Sequence, residues 1–382
     1  MDRINIIVKV TEACNLRCKY CYNKDSDYSA QVLGLERFTK LIDIVAPYRK
    51  DIHIIWHGGE PLTAGLEYFE NAMRIEDAAQ TKYRVTIKNQ IQTNGTLIDK
   101  KWIELFKKYD IKPGISFDGL QNDKYRQRTE DTLRAFKLLA KNGMRSAAMA
   151  VVADDDYDIL ENYKYFAKLG INVEFSPVFE EGGAAEMGSR AQRFAENMTE
   201  LFDYWLYDKN GVDVRLFATY VSMALGTNFR ICNNSSCHGK YLGVAPDGTI
   251  YNCGRYSVTQ YPFGNVDDFS DLNEIYRSDG FMGLVAGAFE RRQKCRESCE
   301  YFNLCSGGCT DCALIENGLN NIPQQSCMYF KTLYPHIKAA VDKILAEKQP
   351  LDGFNPFFRR AVIKSFAVTD DATGADIQDK YK

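Results

Sequence analysis

The chain has 382 residues, 45% of them hydrophobic, and a net charge of −3, which is enough for two or three domains with real cores. Without a basic excess it has no field to draw it to nucleic acid, and no apolar run approaches the ~18 residues of a membrane span. Asp2 and Arg3 precede too short an apolar stretch for a signal peptide, so the chain reads as cytoplasmic.

Residues 4–10 read as a buried first strand, and a cysteine loop, Cys14-Asn15-Leu16-Arg17-Cys18-Lys19-Tyr20-Cys21, follows it directly. Phe38, Leu41, Ile42 and Val45 recur at helical spacing, so residues 35–47 are an amphipathic helix. A second strand at 51–56 ends in His57-Gly58-Gly59-Glu60-Pro61, and a helix starts at Leu66. Strands are expected at 85–93, 111–117, 146–152 and 171–178, with helices marked by Trp102 and Phe106, Leu133 and Phe136, and Ile159, Tyr163 and Phe166. Asn94-Gly95 and Asp118-Gly119 end the third and fourth strands. Residues 180–190 form a glycine-rich linker, and a helix over 193–208 follows.

Strands alternating with helices at this spacing imply a parallel sheet with right-handed crossovers. Six units fit a partial (β/α)6 TIM barrel better than a full eight-unit one. Chemistry in such barrels gathers at the C-terminal strand ends, where the cysteine loop, Gly58-Gly59-Glu60 and Asp118-Gly119 all fall.

In a chain with no export signal, twelve cysteines argue for metal and not for disulfides. Three lie at 14–21 and nine at 232–327, which separates two regions. Three thiolates spaced C-x3-C-x2-C can hold three irons of a cubane cluster and leave the fourth open, as an open position separates catalytic from structural zinc. A zinc knuckle, or cysteines serving as small buried hydrophobes, are the alternatives. Gly58-Gly59 lets backbone approach a ligand closely, and Glu60 can accept from an ammonium; a plain turn explains the glycines equally well. Gln92-Thr93-Asn94-Gly95-Thr96 either lines a substrate pocket or is an ordinary turn.

In the later region the spacings are Cys232-x4-Cys237-x15-Cys253, Cys295-x3-Cys299-x5-Cys305-x3-Cys309-x2-Cys312, and Cys327. Nine thiols exceed one cluster, and eight suffice for two cubanes; four-cysteine zinc sites are the rival reading. Asp247-Gly248 between apolar runs predicts a hairpin over 244–251 that delivers Cys253.

The three-cysteine loop, with Tyr20 before its last thiol, resembles the signature of the radical S-adenosylmethionine (SAM) family. That resemblance implies that the open iron chelates the amino and carboxylate groups of SAM and that reduction yields a 5′-deoxyadenosyl radical. It implies that the backbone at Gly58, Gly59 and Glu60 meets the SAM amino group, that Ser116 and Arg126 meet its ribose and carboxylate, and that Phe179 meets its adenine. An ordinary barrel serine and a solvated charge are the plain readings of Ser116 and Arg126.

The later cysteines, with Phe263-Gly264-Asn265-Val266, resemble the SPASM domain, which carries two auxiliary clusters. By that resemblance Cys232, Cys237, Cys253 and Cys309 hold the first, and Cys295, Cys299, Cys305 and Cys327 the second, making three [4Fe-4S] clusters in all. The chain has three residues between Cys295 and Cys299 where the family has two, and Cys312 is left over. The division implied is a barrel at 1–215, a SPASM domain at 216–335, and a C-terminal helix and tail at 336–382.

Relatives of this kind act on peptide side chains, with a flavodoxin or ferredoxin as reductant. Sulfatase maturases, which make formylglycine, share His57-Gly58-Gly59-Glu60-Pro61 but carry an aspartate base right after the hairpin cysteine. Here Gly254-Arg255 follows Cys253, so the sequence looks more like maturases that crosslink ribosomally made precursor peptides at a β-carbon. Asp118, Glu174 and Glu180 are the candidate bases. No leader-binding segment is read ahead of the first strand, so the barrel or SPASM surface is expected to recognise the precursor. A non-enzymatic iron–sulfur electron carrier is a third reading. The segment Phe354-Asn355-Pro356-Phe357-Phe358 is expected to cap the core, and the last dozen residues to be mobile.

Overall fold

Alternation along each strand decides which face is buried. In β1 (Arg3–Thr11), Ile4, Ile6, Val8 and Val10 are fully buried, whereas Asn5 and Ile7 between them are half-exposed. The same period of two runs through β2 (Asp51–Gly58), where Ile52, Ile54 and Trp56 are buried and His53, Ile55 and His57 lie on the other face. These outward faces pack on α1 (Leu35–Val45) and α2 (Leu66–Tyr83), with Trp56 meeting Phe38 and Phe69 at ring distances of 5.1 and 5.3 Å.

This is a computed structural model; it describes residues 2–23, 29–178, 191–227, 232, 237–255 and 260–369. After α2 come β3 (Thr86–Thr93), α3 (Lys100–Lys108), β4 (Lys112–Ser116), the short α4 (Asn122–Tyr125), α5 (Thr129–Lys141), β5 (Ala147–Val152), α6 (Ile159–Leu169) and β6 (Asn172–Pro177). Asp99 caps α3 and Asp158 caps α6, each carboxylate accepting from first-turn N–H groups. Next are α7 (Ala191–Tyr207), α8 (Arg215–Ala224), β7 (Tyr241–Val244), β8 (Thr249–Tyr251) and β9 (Gly264–Asn265). The chain continues through α9 (Leu272–Arg277), α10 (Asp279–Ser298), α11 (Phe302–Cys305), α12 (Thr310–Glu316), α13 (Gln324–Ala346) and α14 (Pro356–Thr369).

The six expected strands form and pair in parallel in the order β6-β5-β4-β3-β2-β1, the open barrel expected of six units. The sheet runs on across the border expected near 215. β7 adds in parallel to β1, with Ile7 opposite Gly243, and β8 and β9 follow antiparallel, making nine strands. The expected hairpin forms at Asp247-Gly248, with Gly248 at φ +89°. The C-terminal helices pack back on the barrel side, α13 along α7 and α14 along α8. Phe354 and Phe358 are buried there, as expected of a core cap. The linker at 180–190 and the last dozen residues lie outside the described residues. No helix among the described residues is long and apolar enough to cross a membrane.

One buried polar chain in the barrel wall has a measurable consequence. Trp56 Nε1 donates to Asn89 Oδ1 at 2.7 Å, and Asn89 Nδ2 donates to Glu76 Oε2 at 2.5 Å. Glu76 is 2% exposed, and burial pushes its carboxyl from 4.5 up to about 8. Between those values the folded chain holds a proton the unfolded chain has lost, so stability falls as pH rises through the window and levels off above it. Glu76→Gln cannot ionise. Denaturation near pH 5 and near pH 8 should show a pH-dependent loss smaller than the wild type's by about 1–3 kcal/mol. A loss as large as the wild type's counts against this account.

Candidate functional site at the C-terminal ends of the strands

The cysteine loop leaves β1 and is fastened on three sides. Gly59 N–H donates to Thr11 O and Glu60 N–H to Ala13 O, both at 2.8 Å, which ties the end of β2 to the loop's entry. These approaches require glycine. A Cβ on Gly59 would lie 2.3 Å from both Glu12 O and Ala13 O, and one on Gly58, at φ +132°, 2.2 Å from Thr11 O. On the second side, Asn15 donates to Thr96 Oγ1 and accepts from Asn94 Nδ2, both at 2.8 Å. On the third, Lys19 N–H donates to Tyr125 O at 2.9 Å.

Glu60 differs from expectation. Its carboxylate is fully buried and accepts from Leu62 N–H at 3.1 Å, Thr93 Oγ1 at 2.7 Å and Asn94 N–H at 2.7 Å. Burial nevertheless pushes it up to about 7. The side chain therefore joins β2 to β3, and the backbone is what faces the loop. The Gln92–Thr96 segment is likewise a buttress: Thr93, Asn94 and Thr96 are buried and bonded to Glu60 and Asn15. Gln92 alone turns inward, donating to Ser116 Oγ at 2.9 Å.

The three thiols share one pocket of charge. Cys14 is raised to about 11 by burial, against the Leu16 N–H that points at its sulfur at 3.4 Å, and the charges of Cys18 and Cys21 both act on it. Burial raises Cys18 as well, opposed by Arg126, whose Nη1 lies 3.8 Å from its sulfur. Thiols so raised ionise only when a metal takes the proton's place, and donors aimed at sulfur stabilise that anionic state. This donor set and the glycine-bounded loop fit an iron–sulfur group. Among the described residues no three His, Cys, Asp or Glu side chains converge on one ion-sized point.

Arg126 is not a solvated charge. Its side chain is 12% exposed, its Nε pairs with Asp118 Oδ1 at 3.2 Å, and its guanidinium lies 5.2 Å from the centre of the Tyr20 ring. Asp118 is fully buried and also accepts from Tyr20 Oη and, at 2.9 Å, from Val151 N–H. That carboxylate is a structural anchor and not a free base. Glu174 faces the concave side of β6, accepts from Leu216 N–H at 3.1 Å, and is pushed up to about 7 by burial. Phe179 and Glu180 lie outside the described residues.

The later cysteines also gather. Cys237 is acted on by Cys309 and Cys232, and Cys253 by Cys309 and Cys237. Cys295 is acted on by Cys327 and Cys299, and Cys305 by Cys327 and Cys295. These interactions link Cys232, Cys237, Cys253 and Cys309 on one side and Cys295, Cys299, Cys305 and Cys327 on the other, two foursomes of thiols. Cys312 is buried beside Cys309 and hydrogen-bonds to it.

Between β1 and the hairpin lies a cavity of about 320 Å³, lined in part by Lys9, Glu12, Gln31, Tyr251, Cys253 and Arg255. Lys9 pairs with Glu12 at 3.8 Å and stands opposite His57 in the sheet. Burial, then Lys9 and more distantly Arg255, push the His57 imidazole down to about 4, so it is neutral; its Nδ1 accepts from Gly58 N–H at 2.9 Å. Arg255 pairs with Asp311, 2% exposed, at 3.3 Å. Nothing local in the sequence signals this pair or the Asp118–Arg126–Tyr20 cluster, because the partners lie on separate elements.

Residues 8–166 match the model of the Radical SAM superfamily. Over 337 residues, 82% of this chain and 90% of the relative, the chain is 28% identical to a cysteine-type anaerobic sulfatase-maturating enzyme of Clostridium perfringens. It is 26% identical over 390 residues (90% and 93%) to a serine-type one of Bacteroides thetaiotaomicron. It is 25% identical over 361 residues (85% and 71%) to the radical SAM cyclopropyl synthase TigE of Paramaledivibacter caminithermalis. Native anSMEcpe with bound AdoMet and Cp18Cys peptide superposes with a TM-score of 0.76 at 25% identity, covering 90% of this chain and 99% of that one. With this barrel and this loop, residues 8–166 form a radical SAM domain.

Proposed function

We propose that this radical SAM enzyme matures a peptide, forming a crosslink or related β-carbon modification in a ribosomally made precursor. Cys14, Cys18 and Cys21 would hold the cluster that binds SAM, and the two later foursomes would hold two auxiliary [4Fe-4S] clusters. When bound, the first cluster and SAM supply a 5′-deoxyadenosyl radical that takes a hydrogen atom from the substrate.

The chain's own residues give these groups a place. The loop's sulfurs lie close enough to act on one another, which suits a multi-iron group. Backbone carbonyls at Gly58-Gly59 suit an ammonium, and Arg126 and Ser116 suit the carboxylate and ribose of SAM. The peptide would lie in the cavity beside Lys9, Glu12 and Arg255. Glu174, on the concave face and held near neutrality, is the better placed of the two candidate bases among the described residues. The division at 215 and 335 stands as part of this reading, with a flavodoxin or ferredoxin as reductant.

One observation carries the preference for a crosslink. A Cβ at Gly254 would meet Ile7 Cγ2 at 2.5 Å, so the hairpin closes on β1 where a base after Cys253 would have to stand. Asp311, nearby, is buried and neutralised by Arg255. The sulfatase maturases among the relatives favour formylglycine as the second reading.

Reconstituted, reduced protein with SAM and a peptide encoded beside the gene should release 5′-deoxyadenosine and lose two hydrogens from the peptide without new carbonyl reactivity. An aldehyde at Cys or Ser would establish formylglycine instead, and no 5′-deoxyadenosine at all would favour an electron carrier.

A further inference from the structure

Arg291 lies on α10 and is 1% exposed. Its nitrogens all donate to neutral oxygens: Nε to Gly307 O at 3.0 Å, Nη1 to Leu319 O, and Nη2 to Thr310 Oγ1 at 3.2 Å. The charges acting most strongly on it are those of Cys309, Cys295 and Cys237, with Arg292 opposing; no carboxylate is among them. The other guanidinium groups described above differ, since Arg126 has Asp118 and Arg255 has Asp311. A cation taken out of water without an anion costs several kcal/mol, so a buried one implies a counter-charge close by.

The neighbours of this guanidinium come from both cysteine sets. Cys295, of the second set, stands one helical turn along α10 on the same face. Gly307 lies between Cys305 and Cys309, and Thr310 follows Cys309. The Thr310 hydroxyl is shared at 3.1 Å with Nε2 of His238, which follows Cys237 of the first set.

We infer that Arg291 is the shared internal counter-cation of two iron–sulfur clusters, one on each cysteine set, and that its charge sets their reduction potentials. This rests on the reading of the two foursomes as cluster sites. A cubane held by four thiolates is anionic, and reduction adds one electron from a low-potential one-electron donor with no bond made or broken. The reduced cluster, more negative, gains more from a cation in a low-dielectric interior. Arg291 is thus a positioning residue that acts through the clusters.

The test uses the full chain, reconstituted anaerobically with iron and sulfide, and redox titration followed by electron paramagnetic resonance. Wild type should bind about twelve irons; only about four would overturn the reading of the foursomes, separately from any variant. Arg291→Gln that keeps its iron should lower at least one auxiliary potential, a shift of tenfold or more in the reduction equilibrium, or ~59 mV for one electron. Arg291→Lys should stay near wild type. Retained iron with unmoved potentials in Arg291→Gln overturns the proposal. Should Arg291→Gln lose its clusters, Arg291→Lys decides: clusters kept at wild-type potentials support the need for charge, and clusters lost there too show a structural fork instead.

Discussion

Gly59→Ala should strip the protein of its amino-terminal cluster and leave the auxiliary ones in place. Total iron should fall from about twelve to about eight per chain, and SAM cleavage should stop. The added methyl would stand 2.3 Å from two carbonyl oxygens, Glu12 O and Ala13 O, and 2.7 Å from Ala13 C. All three are backbone, so no side chain can turn away to make room. Either the turn at Gly59 moves, breaking the bonds from Gly59 and Glu60 to Thr11 and Ala13, or the loop carrying Cys14 moves with them. Overpacking of this kind costs about 1–3 kcal/mol or more, spent where the thiols must hold position. Gly34→Ala is the control. Its Cβ would meet nothing within 4 Å and its φ is −62°. Full iron and wild-type SAM cleavage in Gly59→Ala would rule out the glycine approach as the constraint on the loop.

The strands were legible because the barrel is open. A closed parallel sheet buries both faces, and its strands read as unbroken apolar runs. Here the concave face holds Lys88, Gln90 and Gln92, so β3 alternates visibly, and its period can be read. The cysteine loop was legible because all its thiols fall within eight residues of one turn. Pairing between distant elements left no such trace. That β7 joins β1 follows from twist and burial across more than two hundred residues, and no local pattern encodes it. Asp118 reads as a base from its place at a strand end, and only the fold reveals that Tyr20, Arg126 and Val151 already occupy it. Glu60 misleads in the same way, since a carboxylate beside two glycines looks aimed at a ligand until Thr93 and Asn94 are seen to hold it.

Asp118→Asn should be the most destabilising single-atom exchange near the site, and a double mutant should show why. The Asp118 side chain is fully buried and that of Arg126 nearly so. Removing one charge from such a pair leaves the other uncompensated, at a cost of about 3–5 kcal/mol. Arg126→Gln alone leaves the carboxylate with Tyr20 and Val151, and should cost less in stability while raising the KM for SAM. In Asp118→Asn with Arg126→Gln neither charge remains, so denaturation should recover much of the loss of Asp118→Asn, a coupling of about 1–3 kcal/mol. The KM defect should stay, because it belongs to Arg126. Additive losses would mean that the two charges do not stabilise each other. Arg126 would then owe its place to Tyr20 and Cys18, and Asp118 would matter only as the acceptor that ties β4 to β5.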